Sequence, residues 1–134
     1  MQDVQVVREA MSKPVLMIGP EHTLRQAATL MAARKIGCAL IHDPDGEGPG
    51  IITERDILYA IGNGCNPDVE PCSQHITWDA VYAHPDWSLE EAAVVMTRGG
   101  FRHLGVIEDG EVVGVISVRD LMRAWSVRRA SANV

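Results

Sequence analysis

Apolar positions along this chain change their period in a way that happens twice. Leu24, Ala27, Ala28, Met31 and Ala32 recur at i, i+3, i+4, i+7 and i+8, the stripe of an amphipathic helix, with Thr23 placed to cap it. Leu89, Ala92, Ala93 and Met96 draw the same stripe 65 residues later, behind Ser88. Short apolar runs flank each stripe, at 15–18, 39–41 and 50–52 in the first half and at 80–83, 103–107 and 112–116 in the second. They are too short for helices and predict strands. Asp109-Gly110 predicts a two-residue hairpin turn between the last two strands, and the Asp/Pro/Gly-rich 43–49 is its longer counterpart. Gly37 and Gly99-Gly100 are expected to end the two stripes, and Pro85 to break the chain before the second.

Further helices are predicted from about 54 to 61, closed by Gly62-Asn63-Gly64, and from 117 to about 125. A short one at 4–11 is carried by Val4, Val7 and Met11. Residues 65–78, with Asn66-Pro67 and Glu70-Pro71, read as a linker holding at most a short helix. The expected organisation is therefore two β-α-β-β-α units. The first is 1–64, including the N-terminal helix; 65–78 joins it to the second, 79–134. Units of about 50 residues are small for independent cores, so the two are expected to pack face to face and share one.

The doubling reaches single residues. Gly50-Ile51-Ile52-Thr53-Glu54-Arg55-Asp56 returns as Gly114-Val115-Ile116-Ser117-Val118-Arg119-Asp120, each time where a strand should enter a helix. An ionised aspartate accepts from adjacent hydroxyls and suits a cis-diol. A helix N-terminus offers free N–H groups to a phosphate, and the leading glycine leaves room for a ligand to approach the backbone. The same Thr53-x-x-Asp56 and Ser117-x-x-Asp120 spacing also fits a capping box, with aspartate in place of the usual glutamate or glutamine. The two roles can coexist. Arg55 and Arg119 fit either a phosphate contact or a solvated helix face.

Composition narrows the classes. With 134 residues, 46% of them apolar, and a net charge of −6, the chain reads as one soluble globular protein without the basic footprint of a nucleic-acid binder. Arg123, Arg128 and Arg129 form only a short basic tail. No apolar run suits a membrane span or a signal peptide, so a cytoplasmic protein is expected. Cys38, Cys65 and Cys72 are an odd number and predict no disulfide framework. Cys65-x6-Cys72-x2-His75 lacks the four close ligands of structural zinc, so these read as incidental thiols and no metal is expected. Cys38 falls in an apolar strand, and His22, His42 and His84 read as surface residues. No nucleophile–base pairing or lysine-bearing phosphate loop recurs, so no enzyme is expected.

Twin β-α-β-β-α units, each with Gly-hydrophobic-x-Thr/Ser-x-x-Asp between third strand and second helix, resemble a tandem pair of CBS (cystathionine-β-synthase) domains over roughly residues 11–125. The chain looks like a stand-alone pair of the small bacterial kind. The resemblance implies an α+β fold of two repeats with pseudo-twofold symmetry, and a cleft between them that takes AMP, ADP, ATP, S-adenosylmethionine or NAD. Carried over by position, it implies ribose contacts from Asp56 and Asp120, with Thr53 and Ser117 beside the ribose and phosphate. It also implies base-lining residues at Met17-Ile18 and Tyr82-Ala83, and phosphate contacts from Arg102-His103, whose first-unit counterpart is Gly37-Cys38. The two sites are therefore expected to be unequal, with phosphate chemistry tilted to the second unit and AMP or ADP favoured. The chain departs from the family in carrying Leu40 and Gly105 where the second strand often has proline.

The expected function is a regulatory sensor of an adenine nucleotide, bound as a regulatory ligand and not as a cofactor. It would form a homodimer, with Trp125 and the Leu121-Met122 side available to an interface, and act on an unidentified protein partner in trans. The alternatives are a ligand-free interaction or scaffold module, and a sensor of S-adenosylmethionine or NAD(H).

Overall fold

The computed structural model describes residues 5–42, 49–78 and 80–132, the last five without side chains. The expected turn over 43–48, Val4 of the N-terminal helix, and the side chains of Arg128 and Arg129 lie outside the described residues. The chain divides into two compact units: Leu16–Ala80, and the residues from Val81 onward together with the described residues up to Val15.

In the first unit, β1 (Met17–Ile18) leads to α2 (Leu24–Arg34), β2 (Cys38–Ile41), β3 (Gly50–Thr53) and α3 (Glu54–Gly62). The sheet order is β1-β2-β3, with β1 parallel and β3 antiparallel to β2. In the second unit, β4 (Tyr82–Ala83), α4 (Leu89–Gly99), β5 (His103–Glu108), β6 (Glu111–Ser117) and α5 (Val118–Ala132) repeat the order and the pairing. A short helix, α1 (Val7–Ala10), precedes them all, and the linker holds a single 3-10 turn at Cys72–Gln74.

Local chemistry explains most boundaries. Thr23 Oγ1 accepts from the Gln26 N–H at 3.1 Å while Gln26 Oε1 accepts from the Thr23 N–H at 2.9 Å, a complete capping box. Ser88 Oγ accepts from the Glu91 N–H at 3.0 Å. Asp109 (φ 53°) and Gly110 (φ 81°) make the tight β5–β6 turn, where two successive positive φ values suit the strand twist. Gly100, at φ 71°, ends α4. The counterpart in α2 is not Gly37. Lys35 takes the left-handed turn (φ 57°), and its N–H donates to Ala32. Strands β1 and β4 begin two residues later than the apolar runs suggest, because parallel pairing reaches only Met17↔Leu40, Ile18↔Ile41, Tyr82↔Gly105 and Ala83↔Val106.

Two expectations about packing are corrected. Each unit has its own core: Leu16, Ile18, Leu24, Ala27, Met31 and Ile52 are among the buried residues of the first, and Ala83, Leu89, Ala92, Met96, Leu104 and Ile116 of the second. The N-terminal helix, expected with the first unit, belongs to the second. The Val7 N–H donates to Trp87 O at 2.9 Å, the Leu89 N–H to Gln5 O at 3.1 Å, and Ser12 and Val115 exchange backbone bonds at 2.8 and 3.1 Å. The linker treats the first unit alike. The Leu24 N–H donates to Glu70 O at 2.9 Å, and Ile51 and Thr77 exchange bonds at 3.0 and 2.9 Å. Residues 5–12 and 70–77 are thus equivalent straps, at the same 65-residue offset as the helices. Val7 and Cys72 fill equivalent core positions, each 0% exposed. Each strap lies on the repeat that does not follow it in sequence. A hydrophobic residue outside the β-α-β-β-α pattern therefore completes each small core, which is how about 50 residues suffice.

Candidate functional site

The two strand-to-helix junctions form with the same hydrogen bonds. At the first, Thr53 Oγ1 accepts from the Asp56 N–H at 3.3 Å; Asp56 Oδ2 accepts from the Thr53 N–H at 2.8 Å and from its hydroxyl at 3.0 Å. At the second, Ser117 Oγ accepts from the Asp120 N–H at 3.1 Å, and Asp120 Oδ2 accepts from the Ser117 N–H and hydroxyl, both at 2.9 Å. The capping role is therefore realised in both copies. It occupies the hydroxyl proton and one carboxylate oxygen, leaving Oδ1 to decide what else each aspartate does.

There the copies part. Asp120 Oδ1 accepts from the Ser12 hydroxyl at 2.9 Å and faces Arg123 Nη1 at 3.6 Å, and the residue is 3% exposed. Ser12 is brought there by its strap, through the backbone pair with Val115. The equivalent strap residue in the first unit is Thr77, paired with Ile51, and no described side chain donates to Asp56 Oδ1. Asp56 is half-buried. The first copy offers a carboxylate oxygen; the second has already given it to a hydroxyl of its own chain. No strand or helix pattern announces this, since Ser12 lies 108 residues from Asp120.

The junction glycines also serve a different purpose from the one expected. A Cβ on Gly50 would collide with Ile76 Cγ2 and lie 2.8 Å from Trp78 Cε3. One on Gly114 would lie 2.6 Å from Met11 Sδ and 3.2 Å from the Ser12 carbonyl oxygen. The space beside each glycine holds side chains of the chain itself, strap residue Ile76 with the adjoining Trp78 or strap residue Met11, and not a ligand.

Register places the remaining predicted residues. His103 lies opposite Ser117 and Cys38 opposite Thr53, while the Val118 N–H donates to Arg102 O at 3.0 Å and the Glu54 N–H to Gly37 O at 2.8 Å. Arg102-His103 and Gly37-Cys38 are therefore true equivalents, each beside its own junction. Arg102 and Arg119 are exposed and form no ion pair with a described residue, Arg55 and His103 are half-buried, and Cys38 is buried. The period of two splits the base-lining pairs. Met17 is 45% exposed and Tyr82 half-buried, with burial raising its phenol pKa, whereas Ile18 and Ala83 turn into their cores. At these strands the side chains of Met17 and Tyr82 are the ones not buried in the cores. Leu121 is in the second core and Trp125 packs on it, which leaves Met122, 60% exposed, as the open member of the expected interface set. Among the described residues no helix is long and apolar enough to cross a membrane.

A family model for the CBS domain matches residues 7–63 and again 72–127. An uncharacterised 17.7 kDa protein of Acidianus ambivalens is 33% identical over 120 residues, covering 88% of this chain and 71% of that protein. Among solved structures, a CBS-domain containing protein from Agrobacterium tumefaciens is similar at a TM-score of 0.83 and 30% identity, over 92% of this chain and 95% of the other. A CBS domain protein from Pyrobaculum aerophilum, solved in complex with AMP, is similar at a TM-score of 0.80 and 28% identity, over 94% and 98%.

Proposed function

The chain belongs to the CBS-domain family and carries two CBS domains; we propose that it senses an adenosine-containing small molecule, with AMP or ADP the favoured ligand. One observation carries this reading. The half-buried Asp56 is held at a helix N-terminus by its capping bonds, yet keeps Oδ1 without a described side-chain donor. A carboxylate fixed through one oxygen and open at the other is preorganised to accept ribose hydroxyls. The likeness to a protein solved with AMP supports the same ligand class.

In this proposal Asp56 takes the ribose, with Thr53 orienting its carboxylate and Met17 against the base, while Arg55 serves the phosphate. At the second junction Arg102, His103 and Arg119 gather for phosphate and Tyr82 offers the base a ring. Ile18 and Ala83 contribute main chain only. Asp120 can hold a ribose once Ser12 gives way, so the first copy binds ribose more readily. The phosphate-rich second copy and the diol-ready first copy are unequal for different reasons. The module acts by regulation without catalysing a reaction, as a homodimer signalling to a protein partner in trans. Ligand shifts its conformational balance by its differential affinity for the two states.

A thermal-shift panel of AMP, ADP, ATP, S-adenosylmethionine and NADH tests this. Ligand at a hundred times its dissociation constant adds about 2.7 kcal/mol, a rise of several degrees. Asp56→Ala should weaken binding about 10- to 150-fold, the worth of a charge-assisted hydrogen bond. No shift with any adenosine compound refutes the sensor and favours a scaffold module, in which the junctions serve as caps alone.

A further inference from the structure

We propose that Cys65, Glu70 and His75 form a binding site for one divalent transition-metal ion of the zinc class. The three side chains come from the turn after α3 and the strap that follows, spaced Cys-x4-Glu-x4-His. Their ligand atoms all lie within 4.8 Å of one another. His75 Nε2 stands 3.9 Å from Cys65 Sγ and 3.4 Å from Glu70 Oε1. Bond lengths of about 2.0–2.3 Å to zinc put tetrahedral ligand atoms about 3.4–3.6 Å apart. His75 therefore stands at or within a few tenths of an ångström of that spacing from both partners, and Cys65 and Glu70, within 4.8 Å of each other, need to approach by about 1 Å at most. Solvent would supply the fourth ligand.

Each ligand is fixed by its backbone. The Cys65 N–H donates to Ala60 O at 3.0 Å and the Glu70 N–H to Asn66 O at 2.9 Å. Glu70 O accepts from the Leu24 N–H, and the His75 N–H donates to Cys72 O at 2.8 Å. Arg25 pairs with Asp68 inside the same loop. His75 and Glu70 side chains are 22% and 27% exposed, sheltered enough to limit competing water and open enough to admit an ion.

Cys72, which the spacing alone would have paired with His75, is not a member. It is 0% exposed, its thiol donates to Thr23 O at 3.6 Å, and burial pushes its pKa up to about 11. A second convergence, His84 with Asp86 and Glu108, is already served by a cation: Arg8 donates to Glu108 at 2.6 Å and to Asp86 at 3.3 Å. Nothing comparable neutralises the first cluster, where His75 alone faces the carboxylate and the thiol among the described residues.

Binding forms one metal–sulfur, one metal–nitrogen and one metal–oxygen bond, and displaces the thiol proton to solvent. The occupied site would pin the strap to α3 and, through Glu70, to the start of α2. Metal would then stabilise the unit that holds Asp56.

The test uses the full chain after chelation, titrated with zinc chloride calorimetrically and with cobalt(II) by absorption. One ion per chain, a thiolate-to-cobalt charge-transfer band, and protection of Cys65 from iodoacetamide are expected. Cys65→Ser should abolish the band. His75→Ala should weaken zinc by more than the roughly 100-fold that loss of an outer-shell partner can cost, and Cys72→Ala should change neither. Circular dichroism of each variant verifies folding. The proposal is overturned by the absence of stoichiometric binding, by cobalt bound without the band, or by wild-type zinc affinity in Cys65→Ser or His75→Ala. Adenosine ligands are absent throughout, so the outcome is independent of the sensor reading.

Discussion

Replacing each junction aspartate by alanine should separate what the sequence makes look identical. Asp120→Ala removes a carboxylate that is 3% exposed and accepts from three donors on two segments: the Ser117 N–H, the Ser117 hydroxyl and the Ser12 hydroxyl. A lost cap costs about 1 kcal/mol and a charge-assisted bond about 1.5–3 kcal/mol. The hydroxyls recover part of this by turning to other partners, so about 3 kcal/mol is expected overall. Asp56→Ala removes a half-buried carboxylate whose described donors both belong to Thr53, and should cost about 1 kcal/mol. For a chain of this length, one kcal/mol moves the melting temperature roughly 3–5 °C. The ligand-free variants should therefore melt about 9–15 °C and about 3–5 °C below wild type. Thermal denaturation followed by circular dichroism reads the difference. A double-mutant cycle locates its source: Ser12 and Asp120 should couple by about 0.5–2 kcal/mol, and Thr77 and Asp56 by nothing measurable. Equal costs at the two aspartates, or no Ser12–Asp120 coupling, would refute the claim that the N-terminal strap saturates the second junction.

Gly50→Ala should destabilise by about 1–3 kcal/mol in chemical denaturation, because Ile76 and Trp78 occupy the space of the new methyl. Gly114→Ala should cost less, since its nearest neighbour is the flexible Met11; the reverse order would contradict the strap packing. Acid should loosen the ion pair that Arg8 of the N-terminal segment makes with Glu108. The hydrogen-bonded Arg8 guanidinium holds the Glu108 carboxyl below its ordinary value near 4.5. Stability from this pair is thus complete above the unfolded value and lost as pH falls through the lower folded one. Melting temperatures of wild type and Glu108→Gln should differ at pH 6 and converge as the pH is taken progressively below 4.5, whereas a constant gap would show that the ionised carboxylate contributes nothing.

The order of elements was legible in the chain because each rests on local physics. The helix stripes, the Thr23 and Ser88 caps and the Asp109-Gly110 turn need only near neighbours, and a repeat read twice makes each more secure. The capping half of Thr53-x-x-Asp56 and Ser117-x-x-Asp120 was legible for the same reason. The α2 terminus was not, because Lys35 adopts a left-handed turn that its side chain does not advertise.

The different surroundings of the two junction aspartates came from contacts between residues far apart in sequence, whereas Arg102-His103 against Gly37-Cys38 could be read directly. The straps pair with the repeat that does not follow them, filling the space beside Gly50 and Gly114 that looked reserved for a ligand. They bring Ser12 to Asp120 across 108 residues, and the second strap sets Glu70 and His75 beside Cys65, where the sequence suggested incidental thiols and no metal. Alternation along a two-residue strand, set by which face packs on the core, kept Met17 and Tyr82 out of the cores and buried Ile18 and Ala83. By itself the sequence determined that there are two junctions, since helix caps and strand periods are written in local residue types. Tertiary structure decided which junction keeps a carboxylate oxygen to offer, because that depends on what a distant segment places beside it.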